Sequence, residues 1–355
     1  MKKIFMGCVA LICSASMWAD NIFSINDFTI ASGEKKTIEV KLTNDIDICA
    51  FQFELELPEG VSITAKANGN LNVVATNRLK EYDEFEETWT PVHSLVSSLQ
   101  SNGYYRVMAY AMPSTNIQGP SGSAVVKIQI EASDQVSTGD FTPVITNMEL
   151  TEIDGTKHKI NTTTYNCSVT LSTKVTTLGY ASFSWPKALD FTNSELTAFI
   201  ATTCNGSSLH MEPVTKVPAN TGLILKGSAG SENTNSLKTT KEATDDVSSN
   251  LLSSNTAGEY TVESDDIYVL SNLDDGKPGF YLASQGIHVA KYKSYLQYPA
   301  GARRGLSFDE GTTTGIIDHS SATTADHNYY DLQGRRIDNP SSGIYVKAGK
   351  KLVIK

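Results

Sequence analysis

The chain has 355 residues, 40% of them hydrophobic, with 29 basic against 39 acidic side chains and a formal charge of −10. That length accommodates two or three domains at roughly 100–200 residues each, and the acidic balance argues against a nucleic-acid partner, which rewards clustered Lys and Arg. The first segment, "MKKIFMGCVALICSASMWAD", has the three parts of a secretory signal: Lys2 and Lys3, a short apolar core from Ile4 to Ser16, and the small Ala19 placed for a cut before Asp20. A lipid anchor at Cys13 is not expected, because Ile12 is bulky just before such a cut. The apolar core falls short of the ~18–20 residues that span a bilayer, and no later stretch is long and apolar enough to serve as a transmembrane helix. Cys8 and Cys13 lie in the signal, which leaves Cys49, Cys167 and Cys204. An odd, sparse set is not a disulfide scaffold. Cys49 and Cys167 sit at inward strand phases, so one pair is possible, but free buried thiols are the expected state.

Residues 20–172 alternate with period two. In "CAFQFELELPEG", Cys49, Phe51, Phe53, Leu55 and Leu57 point one way, and Ala50, Gln52, Glu54 and Glu56 the other. That is a strand with one face on a core and one in water, closed by Pro58-Glu59-Gly60 turn chemistry. "KKTIEVKLTN" (Ile38, Val40, Leu42) and "SAVVKIQIEA" (Val126, Ile128, Ile130) repeat the pattern. "YYRVMAYAM" is apolar or aromatic at both phases, which predicts a strand buried on both sides. The "NRLKEYDEFEETW" segment predicts a turn or two of helix. Many short strands between turn signals make a β-sandwich.

The stretch "FTIASGEKKTIEVKLTNDIDICAFQFELELPEGVSI" resembles the opening of cohesin-type domains. The shared features are the Gly-containing turn, the following strand and Asn, and Ala-Phe-Gln-Phe before a Pro-Glu-Gly turn. "SNGYYRVMAYAM", "GSAVVKIQIEA" and "STGDFTPVITNMELTEIDG" continue the resemblance in order. It implies a jelly-roll sandwich shared with several carbohydrate-binding modules, and a binding rather than a catalytic role.

Residues 173–310 read as a second, small all-β domain. "LTAFIATTC", "LHMEPV", "TGLILKG", "EYTVES", "IYVLSN", "GFYLAS" and "IHVAKY" are short runs rich in β-branched or aromatic residues. The Ser/Thr/Asn-rich stretch from Gly227 to Gly258 predicts a long surface excursion. "GYASF", "VPANTGLILKG", "GFYLA" and "YLQYPAGARRGLSF" resemble a domain that precedes C-terminal sorting segments in secreted proteins of Bacteroidetes. Residues 311–326 are small and polar and read as a linker. Residues 327–355 then read as a closing β-hairpin. Tyr330-Asp331-Leu332-Gln333-Gly334-Arg335, Gly343-Ile344-Tyr345-Val346 and Gly349-Lys350-Lys351-Leu352-Val353-Ile354-Lys355 resemble C-terminal sorting domains of the type IX secretion system of Bacteroidetes. The resemblance implies that the tail meets outer-membrane secretion machinery, and that the protein works outside the cell or on its outer surface. Within it, Tyr330, Leu332, Gly334, Gly343, Tyr345, Gly349 and Lys351 are the marker positions.

Chemistry-bearing patterns are few. The histidines at 93, 158, 210, 288, 319 and 327 have no His-x-His or His-x-x-x-His spacing, so no metal is expected. His319 and His327 fall in and beside the linker and read as solvated. "NLDDGK" (272–277) lacks the spacing of a calcium loop and reads as an acidic turn. There is no Gly-x-Ser-x-Gly elbow and no phosphate-binding loop, and no cofactor is expected. The acidic run "KEYDEFEETW" offers Glu84 with Glu86 or Glu87 as the alternative, a glycoside hydrolase; such a site needs two carboxyls roughly 5–10 Å apart, one with a raised pKa. The preferred reading of that loop is a contact surface. Trp89, Tyr82, Phe85, Tyr104 and Tyr105 are the candidate ligand-binding residues, because a flat exposed ring stacks on the apolar face of a pyranose. The expected function is therefore non-catalytic binding of a glycan or an extracellular protein. A structural surface protein without a soluble ligand is a further alternative.

Overall fold

A computed structural model describes residues 21–112, 114–205, 207–229, 234–272, 277–299 and 305–309, together with four short strands between 329 and 354. It has two compact units, Met1–Glu310 and Gly311–Lys355. Among the described residues the chain is all-β, save one 3-10 turn at Asn77–Leu79.

The leading region is a two-layer sandwich, as its alternation requires. One sheet runs in the order Ile22–Ile25, Lys35–Thr43, Ala124–Ala132, Val61–Ile63, with Val73–Ala75 also paired to Ala124–Ala132. The other runs Lys157–Ile160, Val144–Thr151, Ala50–Leu55, Tyr105–Ala111, His93–Leu99. Register sets Phe51 opposite Ala109, Phe53 opposite Val107 and Leu55 opposite Tyr105, so the inward phase of one strand meets that of the next. Phe23 from the facing sheet then packs on Phe51 and Phe53, with ring centroids 5.4 and 5.1 Å away. Each such buried side chain stabilises the fold by about 1.5–3 kcal/mol.

Tyr105–Ala111 is buried on one face only. Tyr105, Val107, Ala109 and Ala111 point inward, whereas Met108 is half-buried and Tyr110 exposed on the outer face. The expectation of two-sided burial is corrected, because this sheet has a covering layer on one side.

The expected helical turns after Leu79 are also replaced. Lys80–Asp83 and Thr88–Pro91 form a two-stranded ribbon, with Tyr82 opposite Trp89 and Asp83 opposite Thr88. The Asp83 carboxylate accepts hydrogen bonds from the backbone N–H groups of Phe85 (2.8 Å) and Glu86 (3.1 Å). An Asp that bonds its own chain two and three residues on closes a turn rather than a helix, and the Tyr–Trp pair suits a ribbon.

The strand Cys167–Lys174 belongs to both regions. Cys167–Thr170 pairs in parallel with Phe28–Ala31, and Leu171–Lys174 pairs antiparallel with Thr234–Thr239. Cys167 and Val169 lie in the first core, Leu171 in the next. The division expected at 172/173 therefore falls inside one continuous strand. Cys49 and Cys167 are both buried and free, and burial pushes the Cys167 thiol up to about 12.

Beyond that strand lies a nine-stranded sheet, in the order Tyr180–Phe183, Leu223–Lys226, Thr197–Asn205, Ser208–Val214, Gly305–Asp309, Pro278–Leu282, Ile267–Asn272, Lys293–Gln297, Leu252–Asn255. The stretch expected as a surface excursion contributes two strands, Thr234–Thr239 and Leu252–Asn255, each anchored by one buried leucine, Leu237 and Leu252. A single apolar residue in a Ser/Thr/Asn run leaves no periodicity to read.

The first and second regions meet through side chains. Asp134 accepts hydrogen bonds from the Lys291 ammonium (2.8 Å) and the Tyr292 hydroxyl (2.5 Å). Glu59 pairs with Lys187 (2.8 Å) and Lys241 (3.3 Å). Thr138 and Thr239 exchange reciprocal backbone-to-hydroxyl bonds of 2.8 Å.

In the second unit the expected hairpin is a four-stranded antiparallel sheet, in the order Arg336–Ile337, Tyr329–Tyr330, Gly343–Lys347, Lys350–Ile354. Tyr330, Gly343, Tyr345 and Lys351 lie on its strands. Leu332, Gly334, Gly349, His319, His327 and the 311–326 linker lie outside the described residues, as do Ala19, Asp20 and the 1–19 signal.

Candidate functional site

Two surfaces of the leading sandwich expose chemistry suited to binding. The first is the ribbon. Tyr82 and Trp89 are each 45% exposed and Phe85, at the tip, is 100% exposed. The Tyr82 and Trp89 rings lie 5.1 Å apart at 50°. They lean on each other instead of forming a flat two-ring platform, and Trp89 is the ring that borders a cleft. That cleft holds about 530 Å³ and is lined by Trp89, Ala75, Asn77, Gln118, Pro120 and Lys127 among others.

Its floor is built by Arg78, which the sequence does not single out. Thr76 caps the 3-10 turn and its hydroxyl accepts from the Arg78 backbone N–H (3.4 Å). The guanidinium then donates to the backbone oxygens of Leu42 (2.7 Å), Gln118 (2.9 Å) and Ser123 (3.1 Å) and to the Asn44 side-chain oxygen (2.8 Å). These four acceptors lie on two segments, the end of the Lys35–Thr43 strand with Asn44 and the stretch before Ala124–Ala132, and the guanidinium ties the two together; five fixed donors are what it offers for that task. Burial lowers the Arg78 pKa, and the group stays charged.

The remaining aromatics divide. Tyr105 is 8% exposed and packs in the first core, opposite Leu55 and Leu99. It is no ligand platform: its phase on the strand faces the other sheet. Tyr104, just before the strand, is half-buried.

The second surface is the outer face of the Ala50–Leu55, Tyr105–Ala111 and His93–Leu99 strands. Val96 lies opposite Met108, and Tyr110 lies between Ser94 and Ala50. Val96 is 47% exposed, Tyr110 38%, and Met112 just beyond the strand 86%. One end of this apolar row is closed by an ion pair. Arg106 donates through Nε to Glu54 (3.0 Å) and Asn147 donates to its other oxygen (2.6 Å). Burial pushes the Glu54 carboxyl up, but the Arg106 and Asn147 bonds outweigh it and hold the pKa below the usual carboxylate range. Asn147 reaches this position through a bulge between Thr146 and Glu149, with φ 49°. An apolar centre with a polar, ion-paired rim is the layout of a protein contact.

The carboxylates of the hydrolase alternative have no such setting. Glu84, Glu86 and Glu87 stand in solvent around the ribbon tip, and a catalytic acid needs burial or a neighbouring charge to raise its pKa. Among the described residues no group of three His, Cys, Asp or Glu side chains is placed to hold a metal. Residues 273–276 of the acidic turn lie outside the described residues. No helix among the described residues is long and apolar enough to cross a membrane.

Fold and surfaces together define an all-β protein led by a β-sandwich that exposes aromatic and apolar side chains. No family model matches the chain, and no curated protein matches it. Solved structures similar to it include cohesin modules. A non-cellulosomal cohesin from the archaeon Archaeoglobus fulgidus is 12% identical, with a TM-score of 0.30 over 42% of this chain and 91% of that one. A cohesin module from a Clostridium perfringens family 33 glycoside hydrolase is 11% identical, with a TM-score of 0.32 over 43% and 97%. A Clostridium thermocellum cohesin, solved in complex with a dockerin, is 12% identical, with a TM-score of 0.30 over 42% and 99%. At such scores the likeness establishes no function.

Proposed function

We propose that this chain is an exported, non-catalytic binding protein whose leading sandwich docks a protein partner on the outer face carrying Val96, Met108 and Tyr110. The exposed apolar row on an otherwise polar sheet face carries this reading. Exposed apolar surface bounded by polar groups is a mark of a protein–protein interaction site. The export half rests on the sequence alone: residues 1–19 read as a secretory signal and the tail resembles a type IX sorting segment, and both support work outside the cell or on its outer surface. The tail would engage the outer-membrane secretion machinery.

The decisive experiment immobilises the protein and passes the extracellular proteins of the source cell over it. Wild type captures a defined partner, and the double substitution Val96→Lys, Met108→Glu loses it while the thermal melt is kept. Silence of the wild type, or capture that survives both substitutions, rejects the reading.

A glycan ligand is the second reading, favoured by one observation: the half-exposed Trp89 indole beside the cleft of Asn77, Gln118 and Lys127. An indole beside amide and ammonium donors suits a pyranose. Glycan-array binding that falls at least tenfold in Trp89→Ala supports it, and unchanged binding removes it.

A further inference from the structure

The second region contains a cation that the fold leaves without a counter-charge. Lys293 opens the strand Lys293–Gln297, where Ser294 and Leu296 point into a buried layer and Lys293 and Tyr295 to the opposite face. The Lys293 side chain is half-buried, and among the described residues its ammonium has no carboxylate or hydrogen-bond partner. Burial lowers its pKa, with no opposing charge to restore it. A desolvated charge without a partner is costly, and folded chains normally pair it.

Lys293 lines a cleft of about 400 Å³ with one aliphatic wall of Val175, Ala181, Val269, Leu270, Ile287 and Val289, beside the hydroxyls of Thr176, Ser182 and Ser294. The other ionisable lining groups are Lys174 and His288; no Asp or Glu lines it. The His288 ring is already engaged at Nδ1 by the Thr261 hydroxyl (3.0 Å). In a chain with a formal charge of −10, an acid-free cleft with two lysines is a local reversal of sign. The volume lies in the range of small-molecule pockets, about 300–1,000 Å³.

We propose that this cleft binds a small aliphatic carboxylate, its anionic head on Lys293 and its hydrocarbon body along Val269, Leu270 and Val289. The carboxylate supplies the missing counter-charge at the Lys293 ammonium. The aliphatic wall, which has no Phe, Tyr or Trp among its lining residues, favours a hydrocarbon over a sugar. No covalent step is involved.

The test is calorimetry and thermal melting of the full chain with octanoate, against octanol and inorganic phosphate as probes lacking one half of the chemistry. Octanoate should bind at least tenfold more tightly than either control and raise the melting temperature of the wild type. Lys293→Met should melt no lower than wild type without ligand and lose at least tenfold in octanoate affinity. Should that variant fail to fold, Ile287→Glu at the exposed cleft rim (46% exposed) gives the same loss by repulsion. Equal binding of octanol or phosphate, or octanoate affinity unchanged in the variants, overturns the proposal.

Discussion

The two β regions of the first unit reach stability by different routes. The leading sandwich gathers its buried residues into one cluster, centred on Phe23, Phe51 and Phe53. The second region divides its apolar side chains among three smaller clusters. It also leans on its neighbour through the shared strand and through the bonds to Asp134, Glu59 and Thr138. One large core tolerates a polar, open outer face. Several smaller ones gain from docking, because each buries less surface on its own.

The sharpest way to break this contrast is Phe53→Ala, which should cost about 3–5 kcal/mol and melt the leading sandwich as a single transition in calorimetry. Arg106→Ala comes next. It strands the buried Glu54 carboxylate, and should cost about 2–3 kcal/mol in urea unfolding, at the low end because the guanidinium is partly in water. The second region is probed by Tyr292→Phe, which removes only the hydroxyl on Asp134. A loss of about 1 kcal/mol is expected, read through Trp185, whose ring lies 4.5 Å from that of Tyr292. A melt of Trp185 fluorescence that is unchanged would show that the second region stands without its neighbour.

Acid should loosen the docking between the two regions. Hydrogen bonds from Lys187, then Lys241 and Ser137, hold the Glu59 pKa at about 2, against an ordinary 4.5. A depressed carboxylate stabilises fully above its unfolded pKa and loses that contribution as pH falls through the folded value. The Trp185 melting temperature should therefore drop between about pH 4.5 and 2, and Glu59→Gln should flatten that part of the profile. Because Glu59 is largely in solvent, the effect is the smallest of the four.

The leading sandwich was legible in the sequence because Phe51, Phe53 and Leu55 alternate strictly, and a half-buried strand leaves that mark. The all-β class followed from the same signal. Thr234–Thr239 and Leu252–Asn255 stayed hidden because pairing far along the chain, not local pattern, makes them strands. Trp89, Tyr82 and Phe85 were proposed as contacts by residue type and are exposed, whereas Tyr105, also proposed by type, is buried because its strand phase faces the core. Arg78 and Lys293 carry no pattern at all; their significance lies in what surrounds them after folding.

The shared strand has a mechanical consequence. Cys167–Thr170 and Phe28–Ala31 run parallel, so a pull on the chain beyond Lys174 against its N-terminal end slides one strand lengthwise past the other. Parallel strands loaded this way strain their ladder bonds together instead of peeling them one at a time. Tension along the chain would thus meet a shear clamp at the junction, and the short, separately paired strands beyond it would yield first.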